Sequence, residues 1–287
     1  MIPTSQKYPV RFVCNLVVIF GILPVLGCSA SRVDWSNPAF PSGTGFLTKG
    51  LEHERRVHNY SVFVPRNYNP RGHYPVILFL HGLFESGDDG RKCVTVGLGP
   101  AVARRAATFP FIVVFPQSTG DWRSESAVQL AMGTLNQVLR DYPAADRGRV
   151  FLTGISTGGD ATWAIGARYP NRFAGLVPMS SRPSLADAVK LTGLPIRAFH
   201  NQVDPLRSAG SVREMCQRIN QAGGNATSTE YPGFGHDSWT QAYSGEGLFD
   251  WMMRSVLIEH GKASCNSRSG AACSDISAIR LPFSVSW

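Results

Sequence analysis

A serine hydroxyl is a weak nucleophile near neutral pH. It becomes useful when an imidazole can take its proton and a carboxylate can orient that imidazole. This chain of 287 residues carries Ser156, Asp204 and His236 in the order and setting such a relay needs. Ser156 stands in Gly154-Ile155-Ser156-Thr157-Gly158-Gly159, directly after the apolar run Val150-Phe151-Leu152 and just before a helical pattern. In a strand, sharp turn, helix setting, Gly-x-Ser-x-Gly pushes the serine out at the carboxyl end of a sheet. Glycine is required at the flanks because a Cβ there would strike neighbouring backbone. The helix start behind the serine offers free NH groups and a positive dipole end, both suited to a developing oxyanion. The chemistry expected is nucleophilic acyl transfer. The motif alone also arises in ordinary glycine-rich turns, so the weight falls on what surrounds it.

The acid and the base are expected on loops after later strands. Asp204 lies in Asn201-Gln202-Val203-Asp204-Pro205, after the apolar stretch Ile196 to His200. As a plain loop residue it would start the turn before Pro205; as the acid of a relay it would orient the imidazole. His236 lies in Pro232-Gly233-Phe234-Gly235-His236-Asp237, where Gly233 and Gly235 free the loop to turn the ring inward as general base. Asp237 competes for the acid role, but a neighbour in sequence reaches Nδ1 of His236 in poor geometry. His200 ends a buried strand and reads as a core or hinge histidine.

Two backbone NH groups are assigned to the oxyanion hole: that of Thr157 and that of Leu83, which follows Val76-Ile77-Leu78-Phe79-Leu80-His81-Gly82. His81 is read as a structural tie for that loop. Phe84, Trp122 and Trp239 are the substrate-pocket candidates. Trp163, seven positions past Ser156, reads as core, and Asp160 in the first turn of the same helix complements its dipole.

The elements that must hold these residues alternate along the chain. Arg56 to Val64 alternates polar and apolar as a half-buried strand does, and Pro65 to Pro70 is turn chemistry. Val76 to Leu80 and Phe111 to Phe115 are short continuous apolar runs, expected of strands buried on both faces of a parallel sheet. Ser124 to Leu139 has helical spacing, 150 to 152 is a buried strand, and Ser156 to Arg168 is a helix. Gly175 to Met179 and Ile196 to His200 read as strands, Val212 to Ala222 as a helix, Ser228 to Tyr231 as a strand and Leu248 to Glu259 as a closing helix. This is an α/β class domain over residues 46–261 without internal repeats. Residues 28–45, rich in Ser, Pro, Gly and Asn, read as a flexible tether, and 262–287 as a weakly ordered tail.

Composition bounds the function. With 43% hydrophobic and 17% charged residues the chain can bury a sizeable core. Its net charge of +8 lies far below the dense basic clusters of nucleic-acid binders, so no nucleic-acid partner is expected. Residues 1–27 combine Lys7 and Arg11 with an apolar run from Phe12 to Leu26 broken by Gly21 and Pro24, which reads as an export signal rather than a membrane span. Val25-Leu26-Gly27-Cys28 resembles a bacterial lipobox, with Cys28 lipidated as the first mature residue; ordinary cleavage after Ala30 is the alternative. Export leads to a cell-envelope lipoprotein, with Ser29 favouring the outer membrane, or to a secreted or periplasmic protein. Removing Lys7 and Arg11 lowers the charge from +8 to +6.

Of the remaining cysteines, Cys93, Cys216, Cys265 and Cys273 would allow two disulfides in an oxidising compartment. Cys265 and Cys273 are close enough to close a small loop, while Cys93 and Cys216 fall in different elements and read equally as buried free thiols. No Cys-x-x-Cys, His-x-His or His-Glu-x-x-His pattern exists, so no zinc is expected, and acyl transfer through Ser156, His236 and Asp204 needs neither metal nor organic cofactor.

Taken together, residues 46–261 resemble the α/β-hydrolase superfamily, and within it the small secreted carboxylesterases grouped with predicted peptidases. Relatives there include polyhydroxybutyrate depolymerases, feruloyl and acetyl-xylan esterases and dienelactone hydrolase. The resemblance is carried by His81-Gly82 with Glu85-Ser86-Gly87-Asp88-Asp89-Gly90, by Val96-Gly97-Leu98-Gly99-Pro100, by Phe115-Pro116-Gln117, by Gly154 to Gly159, and by Gly235-His236-Asp237-Ser238-Trp239. It implies a mostly parallel central sheet flanked by helices, the triad Ser156, Asp204 and His236, and cleavage of short-chain or glycan-linked acyl esters. Leu83 and Phe84 stand where relatives often carry small residues, and Thr157 replaces a common Met. A serine peptidase of the same fold and a catalytically idle envelope binding module are the alternatives.

Overall fold

The computed structural model describes residues 40–255. Eight strands form one sheet: β1 (Gly45–His53), β2 (Arg56–Val64), β3 (Tyr74–Leu80), β4 (Ile112–Phe115), β5 (Ala145–Ile155), β6 (Gly175–Met179), β7 (Pro195–Val203) and β8 (Asn225–Phe234). Their spatial order is β1-β2-β4-β3-β5-β6-β7-β8. β1 and β2 are antiparallel, as are β2 and β4, and every pairing from β4 to β8 is parallel. The mostly parallel sheet flanked by helices is the expected fold class.

Among the described residues six α-helices cover it: α1 (Leu98–Arg104), α2 (Glu125–Asp141), α3 (Thr157–Arg168), α4 (Ala209–Gln221), α5 (Trp239–Ser244) and α6 (Glu246–Arg254). Because successive side chains on a strand point to opposite faces, the central strands feed two cores. Leu78, Val114 and Leu152 pack with Leu135, Trp163 and Val212 of α2, α3 and α4. Ile77, Val113 and Phe151 pack with Leu98, Val102 and Met252 of α1 and α6. Burial on both faces explains why these strands read as continuous apolar runs. α2 starts at Ser124, whose side-chain oxygen accepts the Ala127 NH at 3.1 Å.

Three elements escaped the sequence reading. β1 is an edge strand whose burial alternates between half-buried and exposed, with Lys49 and Glu52 breaking any apolar run. α1 is seven residues long and contains Gly99 and Pro100, and α5 has only six residues. The closing helix begins at Glu246 and ends at Arg254, earlier than the expected Glu259, with Ser255 already extended. β1 takes the last residue assigned to the tether. The export segment, most of the tether and the tail, with Cys28, Cys265 and Cys273, lie outside the described residues. Cys93 and Cys216 are buried free thiols, each pushed up to about 12 by burial.

Candidate active site

Sheet register brings the site together. β3 and β5 are neighbours with Leu80 opposite Gly154, so the turn after β3 and the turn after β5 emerge side by side. β7 and β8 are neighbours with Val203 opposite Phe234, so the loops bearing Asp204 and His236 do the same. All four lie at the carboxyl ends of the strands, where open α/β sheets form their crevices.

Ser156 sits between β5 and α3 with φ +53° and ψ −117°, a backbone region that costs a non-glycine residue free energy. The turn is held by its surroundings. The Ser156 NH donates to the Met179 carbonyl of β6 at 3.1 Å. A Cβ on Gly154 would stand 2.3 Å from the Gly158 carbonyl oxygen, and one on Gly158 2.1 Å from that of Leu80. Both glycines therefore answer a close backbone approach, as the motif demands.

From Ser156 the polar chain continues without a gap. Ser156 Oγ is 2.9 Å from His236 Nε2, and His236 Nδ1 is 2.7 Å from Asp204 Oδ2. The Asp204 side chain is fully buried, whereas His236 keeps 17% of its side-chain surface exposed. Since a carboxylate only accepts, Nδ1 carries the ring hydrogen and Nε2 is free to accept from Ser156. Trp239 stands edge-on to the imidazole, with ring centroids 5.4 Å apart. Asp237 is turned away: it accepts from the Thr240 NH and hydroxyl, tying down the start of α5.

A cavity of about 190 Å³ opens on this relay. Ser156, Thr157, His236 and Arg207 line it together with Val96, Ile155 and Trp239, and Leu83, Phe84 and Leu206 stand at its rim. Leu83 and Thr157, both expected at the oxyanion hole, thus line the same cavity as Ser156.

No family model matches the chain. Over 182 residues it is 30% identical to acetylxylan esterase A of Emericella nidulans, a match spanning 57% of this chain and 54% of that protein. The chain thus spans about half the length of the curated relative it matches. The crystal structure of a thermostable esterase superposes with a TM-score of 0.67 at 25% identity, covering 74% of this chain and 63% of that one. Pyrococcus horikoshii acylaminoacyl peptidase superposes with a TM-score of 0.60 at 14% identity, covering 76% and 43%. The chain has the α/β-hydrolase fold.

The loop after β3 is held by side chains. His81 is buried; its Nδ1 hydrogen goes to the Gly82 carbonyl at 2.6 Å, and its Nε2 accepts the Ser118 NH at 3.0 Å. That pattern requires the neutral ring, and burial lowers its pKa to about 4. Trp122, expected in the substrate pocket, is instead buried behind this loop: its indole NH donates to the His81 carbonyl at 2.9 Å. An indole whose NH finds a backbone partner is well suited to the interior, and that bond is why the ring faces inward. Trp239 and the exposed Phe84 do line the cavity.

The other motif residues are mostly scaffolding. Gln117 donates to the Glu85 carbonyl at 3.1 Å and accepts the Gly90 NH at 2.7 Å, joining the ends of the Glu85 to Gly90 segment. The Glu85 side chain itself is buried and lines the cavity, with burial raising its pKa against the pull of the Glu85 and Gly82 backbone NH groups. Trp163 is core, its NH bonded to the Ser181 hydroxyl at 2.9 Å. Asp160 is in the first turn of α3 and also pairs with Arg207, Nη2 to Oδ2 at 3.1 Å, tying the nucleophile helix to the acid loop.

The sequence alone gives Glu85 and Arg207 no role, and His200 only that of a core or hinge histidine. Glu85 opens the Glu85 to Gly90 motif. Arg207 meets Asp160 across 47 positions, a pairing no local pattern announces. His200, read as core or hinge, is fully buried, and its Nε2 lies 3.3 Å from Asp204 Oδ2.

Proposed function

We propose that this α/β-hydrolase cleaves carboxylic esters through an acyl-enzyme on Ser156. The observation that carries the reading is the continuous relay from Ser156 Oγ through His236 to the buried Asp204, opening on a cavity. His236 takes the Ser156 proton as Oγ attacks the ester carbonyl, and the oxyanion forms against the NH groups of Leu83 and Thr157. Asp204 holds the imidazolium. His236 then protonates the leaving alcohol, activates a water against the acyl-enzyme, and returns its proton to Ser156 as the acid departs.

The substrates proposed are short-chain or glycan-linked acyl esters. The small cavity supports a short acyl group, and the similarity to an acetylxylan esterase supports an acyl group carried on a polysaccharide. A serine peptidase is the second reading, favoured by the fold shared with an acylaminoacyl peptidase. For the location, the lipobox-like Val25 to Cys28 supports export and lipid attachment at Cys28; labelling with a radioactive fatty acid, present in wild type and lost in Cys28→Ser, is the expected outcome.

The deciding experiment is hydrolysis of p-nitrophenyl esters from acetate to octanoate, beside Ser156→Ala and a peptide amide panel. Activity concentrated in the short esters, with kcat lower by roughly four to six orders of magnitude in Ser156→Ala, is expected. Turnover of amides but not esters would move the assignment to a peptidase. Equal, absent labelling of wild type and Ser156→Ala by a fluorophosphonate would leave a binding module.

A further inference from the structure

Asp204 has more partners than a triad requires. Its Oδ1 accepts the NH groups of Leu206 and Arg207 at 2.8 and 3.0 Å, so the acid caps the turn that follows it. Its Oδ2 faces two imidazoles, His236 Nδ1 at 2.7 Å and His200 Nε2 at 3.3 Å. The second ring is unused by the reaction as derived above, and neither it nor the carboxylate has any exposed side-chain surface.

The protonation of His200 follows from its partners. Nε2 lies 3.0 Å from the Arg207 carbonyl oxygen, which only accepts, so Nε2 carries hydrogen. Nδ1 is buried with no protein partner, so a second hydrogen there would have nothing to receive it. His200 is thus a neutral ring bonded to the far end of the turn whose NH groups grip Asp204. Its Nε2 hydrogen goes to that carbonyl, and Nε2 itself stands 3.3 Å from Oδ2.

The charged groups around it are few. Asp204 and His236 face it from the loops beyond β7 and β8. Glu230 is its partner across the β7–β8 ladder, and Arg213 of α4 holds the Glu230 carboxylate through contacts of 2.9 and 2.8 Å. Arg207 directs its guanidinium away, to Asp160. Burial keeps the His200 ring below its ordinary pKa, against the opposing pull of the Arg207 carbonyl and Asp204.

We propose that His200 is a positioning residue of the acid–base pair: it pins the Asp204 to Arg207 turn through the Arg207 carbonyl and tempers the carboxylate charge that His236 feels. This rests on the acyl-transfer reading of the site. A neutral donor beside Oδ2 takes up part of the negative charge. Without it the carboxylate would favour the imidazolium of His236 more strongly and hold the base protonated to higher pH. The turn would also lose the bond that closes it, and the Ser156 to His236 contact would loosen with it.

The test compares the full chain with His200→Leu, which cannot donate, and with His200→Gln, whose amide NH reaches a similar distance. Readouts are the pH dependence of Ser156 labelling by a fluorophosphonate, the kcat and KM for p-nitrophenyl acetate, the NMR titration of His236, and the thermal midpoint. In His200→Leu, the acidic limb and the His236 titration are expected to move up by roughly half to one pH unit, with kcat falling and KM little changed. His200→Gln is expected to recover most of both. Identical pH profiles in wild type and His200→Leu, or a loss that tracks the thermal midpoint and is not relieved by Gln, overturns the proposal. Wild type that neither labels nor hydrolyses esters defeats the acyl-transfer reading itself, whereas the His236 titration still reports on His200.

Discussion

The two turns that meet over the cavity are held in different ways. The nucleophile turn after β5 is fixed by backbone: two glycines that admit carbonyl oxygens where a Cβ would stand, and one bond from the Ser156 NH to Met179. The oxyanion turn after β3 is fixed by buried polar side chains, His81, Gln117 and Trp122, each satisfied by backbone partners. Steric fixation does not change with pH. A fixation that runs through a neutral imidazole does.

The sharpest way to break the first turn is Gly158→Ala. Its new Cβ would meet the Leu80 carbonyl at 2.1 Å, where only backbone can give way. Destabilisation of about 4 kcal/mol or more is expected, read from urea midpoints and equal at pH 7 and pH 4.

The oxyanion turn should instead yield to acid. His81 has a folded pKa lowered to about 4 against an ordinary 6.5, so the unfolded chain takes up the proton first as pH falls. Its contribution is fully present above pH 6.5 and is lost as the pH drops towards 4; the whole fall is worth about 3 kcal/mol. Urea midpoints across that range in wild type and His81→Gln check it, the variant losing less on acidification. Glu85 works in the opposite direction. Its raised pKa means stability present below the ordinary 4.5 is lost as pH climbs through the folded value, a loss that Glu85→Gln should abolish.

Trp122→Phe tests whether the oxyanion turn depends on that one indole. It keeps an aromatic ring against His81 and removes only the donor to the His81 carbonyl, leaving a buried acceptor unpaired. A cost of about 1–2 kcal/mol is expected, together with a fall in kcat of roughly tenfold and little change in KM, measured on the best ester. Phe84→Ala marks the small end of the scale. At 82% exposure the ring contributes to the cavity rim and hardly to the core, so stability should stay within about 0.5 kcal/mol while KM rises.

The same contrast explains what could be read from the chain. β2 and β6 were recognised over their whole lengths from patterns in adjacent residues, although β2 is not the half-buried strand its alternation suggests: it lies between β1 and β4, and Tyr60 to Val64 are buried on both faces. β1 was not: its exposed face carries Thr48, Gly50 and Glu52 and its covered face is only half-buried and includes Lys49, so its pattern resembles a loop. Ser156, Asp204 and His236 were legible because each follows a strand in the order that acyl-transfer chemistry needs, and the structure brings them within hydrogen-bond distance. Trp122 and Trp239 look alike in sequence, each lying beyond a strand, yet one seats its NH on a buried carbonyl and the other stands beside His236.

Local sequence therefore determined the strand and helix alternation, the glycine turn, and the residue types of a nucleophile, an acid and a base, since each depends on neighbours a few positions away. The tertiary structure alone decided which buried groups surround them. His200 reaches the Asp204 carboxylate, Arg207 ties α3 to the acid loop, and Glu85 turns into the cavity, because sheet register sets which loop ends meet. Long-range pairing of that kind is fixed by packing and by the need to satisfy buried polar atoms, and neither leaves a pattern in contiguous residues.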